Sequence, residues 1–258
     1  MSPVRNLSPK QSQRLRVFVK KVGRGINRFH MIQDGDRLLA GISGGKDSLA
    51  LCLALKARLK WVPIRYELAA LFIDWKEYPA GEEERAALEG FFGDLEIPLR
   101  RVCASIFPPH SEEPFSCYIC SQNRKRLLFQ EASRLGISKV LLGHNLDDMV
   151  QTTLLNLFFQ GEFSTMMPVQ DFFGGRIKIL RPMCEVLESD VLRFARRFDL
   201  PVLSTRCPNK ETNQRELLKE ILRSLQRVDR RVRQNIYRAP WHINYQYLPI
   251  GKQPVKPR

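Results

Sequence analysis

The sequence has no apolar run long enough to cross a membrane. A membrane-spanning helix needs about 18 or more consecutive apolar residues, and no stretch of the 258-residue chain approaches that length. Acidic residues are also scarce beside basic ones: 27 Asp and Glu stand against 42 Lys and Arg, a formal net charge of +15. We therefore exclude membrane insertion and expect a polyanionic partner such as nucleic acid or an anionic membrane surface, with a basic but merely solvated surface as the alternative.

Cysteine is too scarce for a disulfide scaffold. The chain has six cysteines and no apolar secretory signal, so we expect a reducing, cytoplasmic setting. The first 33 residues carry eight Lys or Arg and no acid, a composition that superficially resembles a transit peptide. The same segment places Leu15, Val19 and Val22 at helical spacing. This spacing favours a helix that packs on the body of the protein.

Beyond Arg37, short apolar runs alternate with amphipathic stretches. The runs predict strands at 38–42, 68–73, 99–102, 140–142, 177–180 and 202–203. Segments such as 88–95 and 150–158 repeat apolar residues at helical spacing between those runs. This alternation predicts an α/β fold with an open, mostly parallel sheet and helices on both faces. Ligands bind beyond the carboxyl ends of the strands in such a sheet.

The basic residues concentrate at both ends of the predicted sheet domain. We divide the chain into a basic N-terminal helical segment (1–36), an α/β domain (37–210) and a C-terminal part (211–258). The α/β domain contains an inserted Cys-x-x-Cys loop. The C-terminal part contains a basic helical stretch and an aromatic, Pro-rich tail. Both basic flanks are candidates for holding the phosphates of a nucleic acid.

A glycine-rich segment follows the first predicted strand and precedes an apolar helix. Its six residues are Ser43, Gly44, Gly45, Lys46, Asp47 and Ser48. The glycines let the backbone approach an anion closely, and the free amides at a helix start favour phosphate. The serines add hydroxyl donors and Lys46 adds a positive charge. A tight turn without ligand would be the structural alternative.

This segment is not a Walker A loop, because only three residues separate Gly41 and Gly45 and an acid follows the lysine. It resembles instead the loop of the PP-loop ATPases, which cleave ATP between the α- and β-phosphates. The resemblance implies that the loop cradles pyrophosphate and that AMP is transferred to a substrate oxygen.

A second polar element follows the predicted strand 140–142. It reads Gly-His-Asn-Leu-Asp-Asp over residues 143–148. Carboxylates just past a strand end can hold Mg²⁺, which prefers oxygen ligands. Alternatively, Asp147 and Asp148 only complement the dipole at a helix start. His144 could act on the substrate or only pack the site. Asp74, at the end of the second predicted strand, is a candidate for contacting the nucleoside or an ordinary exposed turn acid.

Two cysteines, Cys117 and Cys120, are separated by two residues at a predicted loop-to-helix junction. This spacing suits one metal or a redox pair. A full zinc site would require four ligands, and the chain has no second such pair. Cys207 follows the run 202–203 and could complete a three-thiolate cluster site with one open iron position. The spacing alone leaves a cluster, zinc or redox use, and inert thiols as alternatives.

The other three cysteines lie in or beside predicted regular elements. Cys52 falls within an apolar helix, where a buried inert thiol is expected. Cys103 and Cys184 follow strand-like runs, and the pattern permits either role for them.

The ordered motifs between residues 37 and 222 resemble the TtcA-like tRNA 2-thiocytidine synthetases, a branch of the PP-loop (N-type ATP pyrophosphatase) enzymes. The motifs that carry this resemblance are the loop 43–48, Cys117-x-x-Cys120 with the basic helix start Arg124-Lys125-Arg126, Gly143-His144-x-x-Asp147-Asp148, Thr152 to Asn156, Met167-Pro168, Arg181-Pro182, and Cys207 with Gln214-Arg215. The resemblance implies a fold like the adenine nucleotide alpha hydrolases. It also implies ATP, Mg²⁺, and a four-iron four-sulfur (4Fe-4S) cluster held by Cys117, Cys120 and Cys207.

The resemblance also implies a reaction: adenylation of the C2 oxygen of an anticodon-loop cytidine in tRNA, followed by replacement of that oxygen with sulfur. We expect catalytic roles for Lys46, Asp47 and Asp148. Contacts to the nucleotide are expected from Ser43, Gly44, Gly45, Lys46, Asp47, Ser48, Asp74, Gly143, His144 and Asp147. The sulfur donor would be sulfide or sulfur derived from a cysteine desulfurase, and the chain could form a homodimer.

One departure from the family pattern concerns the third cysteine ligand. The family usually has a second Cys-x-x-Cys near the C-terminal ligand, and this chain has Ser204 where the first of those cysteines would stand. Rival functions are sulfuration of another tRNA base or a small molecule, nitrogen delivery as in lysidine synthetases, and non-catalytic RNA binding with a structural metal. An intact glycine-rich loop argues against the last of these.

Overall fold

The computed structural model describes residues 7–107, 117–204 and 213–248. Its strands are β1 (Asp36–Ile42), β2 (Tyr66–Trp75), β3 (Leu99–Ala104), β4 (Lys139–Leu141), β5 (Val169–Phe172) and β6 (Ile177–Leu180). Its α-helices are α1 (Pro9–Arg28), α2 (Lys46–Arg58), α3 (Glu82–Asp94), α4 (Cys117–Arg134), α5 (Leu146–Leu155), α6 (Glu188–Arg197), α7 (Asn213–Val228) and α8 (Val232–Arg238). A π-helical turn (Asn156–Gln160) extends α5. No helix within these ranges is long and apolar enough to span a membrane.

The strands form one six-stranded sheet in the order β3-β2-β1-β4-β6-β5. All neighbouring pairs are parallel except β5 and β6, which are antiparallel. The sequence-based expectation of a mostly parallel sheet is therefore confirmed. The chain order moves outward from β1 in one direction through β2 and β3, and from β4 in the other direction through β6. The boundary between β1 and β4 is thus the switch point of the sheet, where open α/β sheets bind their ligands.

Two details of the predicted sheet are wrong. Residues 202–203 form no strand; the amide of Leu203 instead donates to the carbonyl of Gly44 at 2.9 Å. Strand β5 was not expected, because its four residues include Gln170 and Asp171, types that carry little or no strand signal. Its pairing with β6 comes from the hairpin that joins them rather than from an apolar pattern.

Successive strand residues face opposite sides of the sheet, as the pleat requires. Leu39, Leu71 and Ile73 join α4 in one apolar cluster. Leu38 and Phe72 belong to a larger cluster on the other face. Helices α1, α2, α3, α5, α6, α7 and α8 contribute buried side chains to that larger cluster. Helices therefore cover both faces, with α4 alone in the smaller cluster among the described helices.

The N-terminal helix packs on the body of the protein. Helix α1 begins with a capping box between Ser8 and Gln11 and buries Leu15, Val19 and Val22. Lys21 forms an ion pair with Asp190 of α6 at 2.5 Å. At the other end of the chain, α7 and α8 both contact α5. Helix α5 starts at the carboxyl edge of β4, so the C-terminal helices lie beside the switch point.

Candidate active site

The two polar elements follow the two strands at the switch point. The glycine-rich segment connects β1 to α2, and residues 142–145 connect β4 to α5. Since β1 and β4 are neighbouring parallel strands, both connections leave the sheet at the same edge. The expected placement of both elements just past strand ends is confirmed.

Backbone geometry requires glycine at Gly44. Its φ is +76°, in the left-handed region, and a Cβ placed there would lie 2.4 Å from a side-chain carbon of Leu203. Gly45 is the N-cap of α2 and has no side chain to cap the helix. The first amides of α2 are therefore left without a side-chain cap, which is the arrangement that suits an anion at a helix start.

Hydroxyl groups brace the loop from inside. The Ser48 Oγ donates to the carbonyl of Gly45 at 3.0 Å, and the amide of Gly45 donates to the Ser43 Oγ at 3.3 Å. The two serine hydroxyls are 3.4 Å apart. Ser48 is buried, whereas Ser43 lies at the open side of the loop. The loop is thus held in shape by its own polar groups before any ligand binds.

Gly143 brings the second element against the first. A Cβ at this position would stand 2.8 Å from the backbone nitrogen of Ser48 and 2.9 Å from the carbonyl carbon of Asp47. Backbone atoms cannot yield to such a contact, so only glycine fits. The Gly-His motif and the first turn of α2 are therefore packed backbone to backbone.

Asn145 joins the two elements by hydrogen bonds. Its side-chain nitrogen donates to the Asp47 Oδ1 at 2.9 Å. Its side-chain oxygen accepts the amides of Asp147 and Asp148, and its own amide donates to the Asp148 Oδ2 at 2.8 Å. This capping box starts α5 and aims the Asp148 carboxyl back toward the loop. Asn145 was not among the residues predicted from the sequence; an Asn three residues before an acid at a predicted helix start is the signal that could have found it.

Lys46 is held between two carboxylates. Its Nζ lies 2.9 Å from the Asp47 Oδ2 and 3.1 Å from the Glu188 Oε1. Burial alone would lower the pKa of Lys46, but the bonds to these acids outweigh it and raise the pKa. Glu188 is the first residue of α6, distant in sequence from both motifs. It was not predicted from the sequence, because an acid at a helix start is common and carries no motif.

Asp148 and Asp147 have different surroundings. Burial, with the nearby negative charges of Asp47 and Glu188, raises the pKa of Asp148 to about 6. Asp147 is buried and directed elsewhere: its Oδ2 accepts the amide of Glu188 at 2.7 Å, and its Oδ1 forms an ion pair with Arg233 of α8 at 3.0 Å. Asp148 and Asp47 are thus both bonded to Asn145 beside the loop, while Asp147 ties α5 to α6 and α8.

His144 is half-buried in a basic environment. Burial of the ring, together with the positive charges of Arg181, Arg215 and Arg124, lowers the pKa of His144 to about 3. Its Nδ1 is buried without a hydrogen-bond partner among the described residues. The ring is consequently neutral at physiological pH, so it can donate or accept a hydrogen bond but cannot serve as a cation.

Arg181, at the carboxyl end of β6, is buried without a described acidic partner. Its guanidinium donates to the carbonyl of Met167 and to the Gln170 Oε1, both neutral acceptors. The Arg181 Nε has no partner among the described residues. Burial lowers the pKa of Arg181 to about 10, which still leaves it charged. A buried cation with a free donor favours an anionic ligand.

The paired cysteines lie in the first turn of α4. Cys117 is exposed and Cys120 is buried. Three residues apart on a helix, they lie on the same side. The Cys120 Sγ is 3.5 Å from the Tyr78 hydroxyl and 3.9 Å from the Arg124 Nη2. Cys207 lies outside the described residues, and within those residues no group of three metal-ligating side chains is found.

The remaining cysteines differ from one another. Cys52 and Cys184 are fully buried, and burial raises the pKa of each thiol to about 12, as befits inert apolar groups. Cys103 lies within β3, yet it is exposed. Of the two roles that the pattern left open for Cys103, a buried apolar group is therefore wrong, because the thiol is exposed on the edge strand β3.

Asp74 and Ser204 have structural partners. Asp74 is buried, which excludes the exposed turn acid as an alternative. Its Oδ1 accepts the amide of Ala80 at 2.9 Å, and Arg85 and Arg101 lie near its other oxygen. The amide of Ser204 donates to the Glu84 Oε1 at 2.8 Å, and its hydroxyl bonds the same oxygen. Nothing in the described geometry assigns either residue to a ligand.

Most of the chain is similar to one family of known proteins. Residues 16–225 match the model of the PP-loop domain family. The tRNA-cytidine(32) 2-sulfurtransferase of Geotalea uraniireducens is 32% identical over 234 residues, which are 88% of this chain and 92% of the relative. The enzyme of the same name from Geobacter sulfurreducens is 34% identical over 240 residues, 88% of this chain and 90% of that one. The chain belongs to the tRNA 2-thiocytidine synthetase family of PP-loop enzymes.

A solved structure supports the same fold. The U34-tRNA thiolase NcsA from Methanococcus maripaludis, described with its [4Fe-4S] cluster, superposes with a TM-score of 0.70 at 21% identity. The superposition covers 87% of this chain and 76% of the thiolase. The family resemblance and the fold class expected from the sequence are both confirmed. In this PP-loop protein, the loop 43–48 and the Gly-His motif lie side by side at the switch point of the sheet.

Proposed function

We propose that this PP-loop enzyme is an ATP-dependent tRNA sulfurtransferase, which replaces the C2 oxygen of an anticodon-loop cytidine with sulfur. The observation that carries the proposal is the backbone contact of Gly143 with Asp47 and Ser48, which joins an ATP loop to the family's second motif. The names of the relatives support cytidine 32 of tRNA as the target. The reaction releases AMP and pyrophosphate.

The loop binds ATP and Lys46 acts on the leaving group. The uncapped amides of α2 and the hydroxyl of Ser43 receive phosphate oxygens. Lys46, pre-positioned by Asp47 and Glu188, stabilises the negative charge that develops on pyrophosphate. Asp47 and Asp148 are the carboxylates that would hold Mg²⁺, since both lie beside the loop and oxygen is its preferred ligand. Asp74 and Asp147 would contribute to the nucleotide site through the loops they brace.

Two bond exchanges complete the reaction. The C2 oxygen of the cytidine attacks the α-phosphorus, the bond to the β-phosphate oxygen breaks, and pyrophosphate leaves. Adenylation makes the former carbonyl oxygen part of a good leaving group. A sulfur nucleophile then forms a bond to C2, and the C2–oxygen bond breaks to release AMP. Neutral His144 can hydrogen-bond the base, while Arg181 and its neighbouring arginines receive RNA phosphates.

The thiols of Cys117 and Cys120 fit a cluster site. They share one side of a helix turn, and the Arg124 guanidinium and Tyr78 hydroxyl lie close to the Cys120 sulfur, where they would stabilise a thiolate. With Cys207 as the third ligand, a 4Fe-4S cluster would keep one iron free for an exogenous ligand such as sulfide. The donor would be sulfide or cysteine-desulfurase-derived sulfur in the reducing cytoplasm, and a homodimer is part of the same hypothesis.

Lys46→Ala tests the ATP chemistry. We expect the AMP-forming rate to fall about 10²–10³-fold, as when one donor to the transition state is removed, while tRNA binding persists. Lys60→Ala, at an exposed position just after α2, is the matched control and should retain full activity. The measurement is chromatography of the nucleotide products together with mass spectrometry of the tRNA nucleosides. Formation of ADP and phosphate in place of AMP and pyrophosphate would contradict the PP-loop chemistry.

A further inference from the structure

An open groove lies beside α4, away from the ATP loop. It is about 920 Å³ in volume, within the range of about 300–1,000 Å³ typical of small-ligand sites. One wall is the middle of α4 and the other is the hairpin that joins β5 to β6. The residues that matter here are Lys125, Arg126, Phe129, Phe172, Phe173 and Arg176. We refer to this feature as the α4–hairpin groove.

The charge of the groove has one sign. Lys125, Arg126 and Arg176 line it, and none of its lining residues within the described part of the chain is acidic. The guanidinium of Arg126 donates to the side-chain oxygens of Asn123 and Gln130, and the Arg176 Nε donates to the carbonyl of Phe173. None of the three cations forms an ion pair with an acid among the described residues, in contrast to Arg134 at the end of the same helix, which pairs with Glu131. The groove therefore favours a polyanion.

An aromatic side chain is presented at the mouth of the groove. The Phe129 ring lies 4.9 Å from that of Phe172 and 5.5 Å, edge-on, from that of Phe173. Phe173 is nonetheless 56% exposed. Its φ is +54°, in a region that a bulky side chain rarely adopts. The amide of Gly175 donates to the carbonyl of Phe172 at 3.1 Å, so this conformation belongs to the tight turn of the hairpin, which holds the Phe173 ring at its tip.

Cations beside an exposed aromatic ring are the combination that binds single-stranded nucleic acid. The backbone phosphates contact the cations, and a base stacks on the ring. The groove lies toward the amino ends of β4 and β6, because Ser138 and Ile177 line it, whereas the active site lies at the carboxyl ends of the strands. Helix α4 connects the two places: Arg126 follows Cys120 by six residues, which is about 9 Å along a helix at 1.5 Å per residue. An RNA whose target base is at the active site would therefore reach the groove with a more distant part of its chain.

We propose that the α4–hairpin groove binds a single-stranded segment of the RNA substrate, apart from the target nucleotide. One base stacks on Phe173, and Lys125, Arg126 and Arg176 hold the flanking phosphates. The proposal rests on the proposed function only in taking RNA as the partner. The groove lies apart from the C-terminal basic helix, so it adds a second contact surface for the substrate.

The first experiment measures binding of a fluorescein-labelled, unstructured RNA oligonucleotide, and of a tRNA transcript, by anisotropy across a salt series. The full-length protein carries Lys125→Gln, Arg126→Gln and Arg176→Gln together. Removing three single-strand phosphate contacts should reduce the slope of log affinity against log salt by about 2. The matched control, Lys56→Gln with Lys60→Gln and Arg65→Gln, removes the same charge around the C-terminal end of α2 and should leave the slope unchanged. Equal reductions in both triples would mean that only net charge matters and would overturn the proposal.

The second experiment tests the ring. Phe173→Asn suits the left-handed backbone and removes the stacking surface, so it should weaken RNA binding about 5- to 100-fold without lowering the melting temperature. Phe173→Tyr should restore binding, and Trp61→Asn, at another exposed aromatic, should not affect it. Unchanged binding in Phe173→Asn would overturn the stacking role. Conversion of a dimer into a monomer by the groove variants, measured by light scattering, would assign the groove to a second copy of the chain instead.

The two proposals can fail separately. RNA binding that depends on the groove, in a protein that fails to thiolate tRNA, would support the groove and contradict the proposed function. Thiolation that proceeds with RNA affinity unaffected by the groove variants would contradict the groove and leave the proposed function intact.

Discussion

The two sides of the sheet's switch point differ in how their polar groups are satisfied. On the nucleotide side, Lys46, Asp47, Asn145 and Glu188 are bonded to one another at 2.9–3.1 Å. On the side of the cysteines, the His144 Nδ1 and the Arg181 Nε are buried without partners among the described residues. A buried, unsatisfied polar atom costs about 1–3 kcal/mol. The charged and amide side chains of the first side therefore satisfy one another, whereas His144 and Arg181 on the second side are left to be satisfied by what binds there.

We infer from this difference that the nucleotide side is a preformed binding site, whereas the side of the cysteines is completed when its substrate binds. The loop that receives ATP is fixed by glycines that no other residue can replace, so it needs no rearrangement. The neutral histidine and the arginines around it carry a desolvation cost that an RNA phosphate or a base can relieve. Breaking the first side should abolish chemistry, while changes on the second should separate substrate binding from ATP use.

The largest expected effect is at the paired cysteines. Cys117→Ser or Cys120→Ser should abolish thiolation and bleach anaerobically purified protein, in which a family-type cluster would give about four irons per chain. ATP binding should persist, because the loop is braced without these residues. Iron content, visible absorbance and mass spectrometry of tRNA nucleosides are the measurements.

The controls for this prediction are the inert thiols. Cys52→Ala and Cys184→Ala should retain iron and activity at a cost in stability. Stoichiometric zinc without iron under strict anaerobiosis would contradict a cluster. Cys207→Ser should behave like the other two ligands; full activity in that variant would move the third ligand elsewhere, and exposed Cys103 then becomes the first candidate.

The next effect concerns the contact between the two motifs. In Gly143→Ala the added methyl would stand 2.8 Å from the Ser48 nitrogen, forcing the Gly-His element away from the loop. Displacements of about 1 Å can cost 10²-fold in rate, so AMP formation should fall by about that factor. The control is Gly90→Ala in α3, where a Cβ meets nothing within 4 Å. That change should leave activity intact and stabilise the fold by about 0.5–1 kcal/mol.

A smaller effect is expected from Asp148. Its pKa of about 6 in the fold exceeds its ordinary value of 3.8. The carboxyl therefore binds a proton more tightly in the folded protein, and the stability this contributes is lost as pH rises from about 4 through about 6. Asp148→Asn should raise the melting temperature at pH 7.5, yet weaken Mg-ATP binding.

Calorimetric titration of Mg-ATP across pH 5–8 checks this. Wild-type affinity should decline below about pH 6, where Asp148 is protonated, and the Asn variant should show a flatter profile. A wild-type profile that Asp148→Asn leaves unchanged would remove Asp148 from the metal site.

The sequence was sufficient to predict the ATP loop, but not the surroundings of His144 and Arg181. Strand ends, glycines and Lys46 are local signals, because the loop's function depends on consecutive residues. Glu188 was missed because its role arises only when α6 packs beside the loop, and Arg181 entered only as part of a family motif. Their surroundings come from tertiary packing, which no short pattern encodes. The structural role of Asp147 was missed for the same reason: its carboxylate bonds to the Glu188 amide of α6 and to Arg233 of α8, and both contacts arise only from packing.

The smallest expected effect is in the C-terminal helices α7 and α8. Their composition predicts that they bind RNA phosphates, and the structure indicates which of their arginines are free to do so. The stretch 215–238 is predominantly basic in sequence, but Arg233 forms an ion pair with buried Asp147. Arg223, Arg227 and Arg230 are exposed and form no ion pair among the described residues. Replacing these three with Gln should reduce the slope of log affinity for tRNA against log salt by about 0.7–0.9 for each phosphate that is no longer neutralised.

Arg233→Gln provides the contrast within the same region. This change leaves the buried Asp147 carboxylate without its cation, so it should lower the melting temperature more than the triple replacement does. Its effect on the salt slope should be small, since the guanidinium already faces an acid inside the protein. Salt-dependent tRNA binding and thermal unfolding of both variants are the measurements. If Arg233→Gln flattened the slope as much as the triple variant without destabilising the fold, the whole stretch would be an RNA-facing surface. Asp147 would then have to be held by the amide of Glu188 alone.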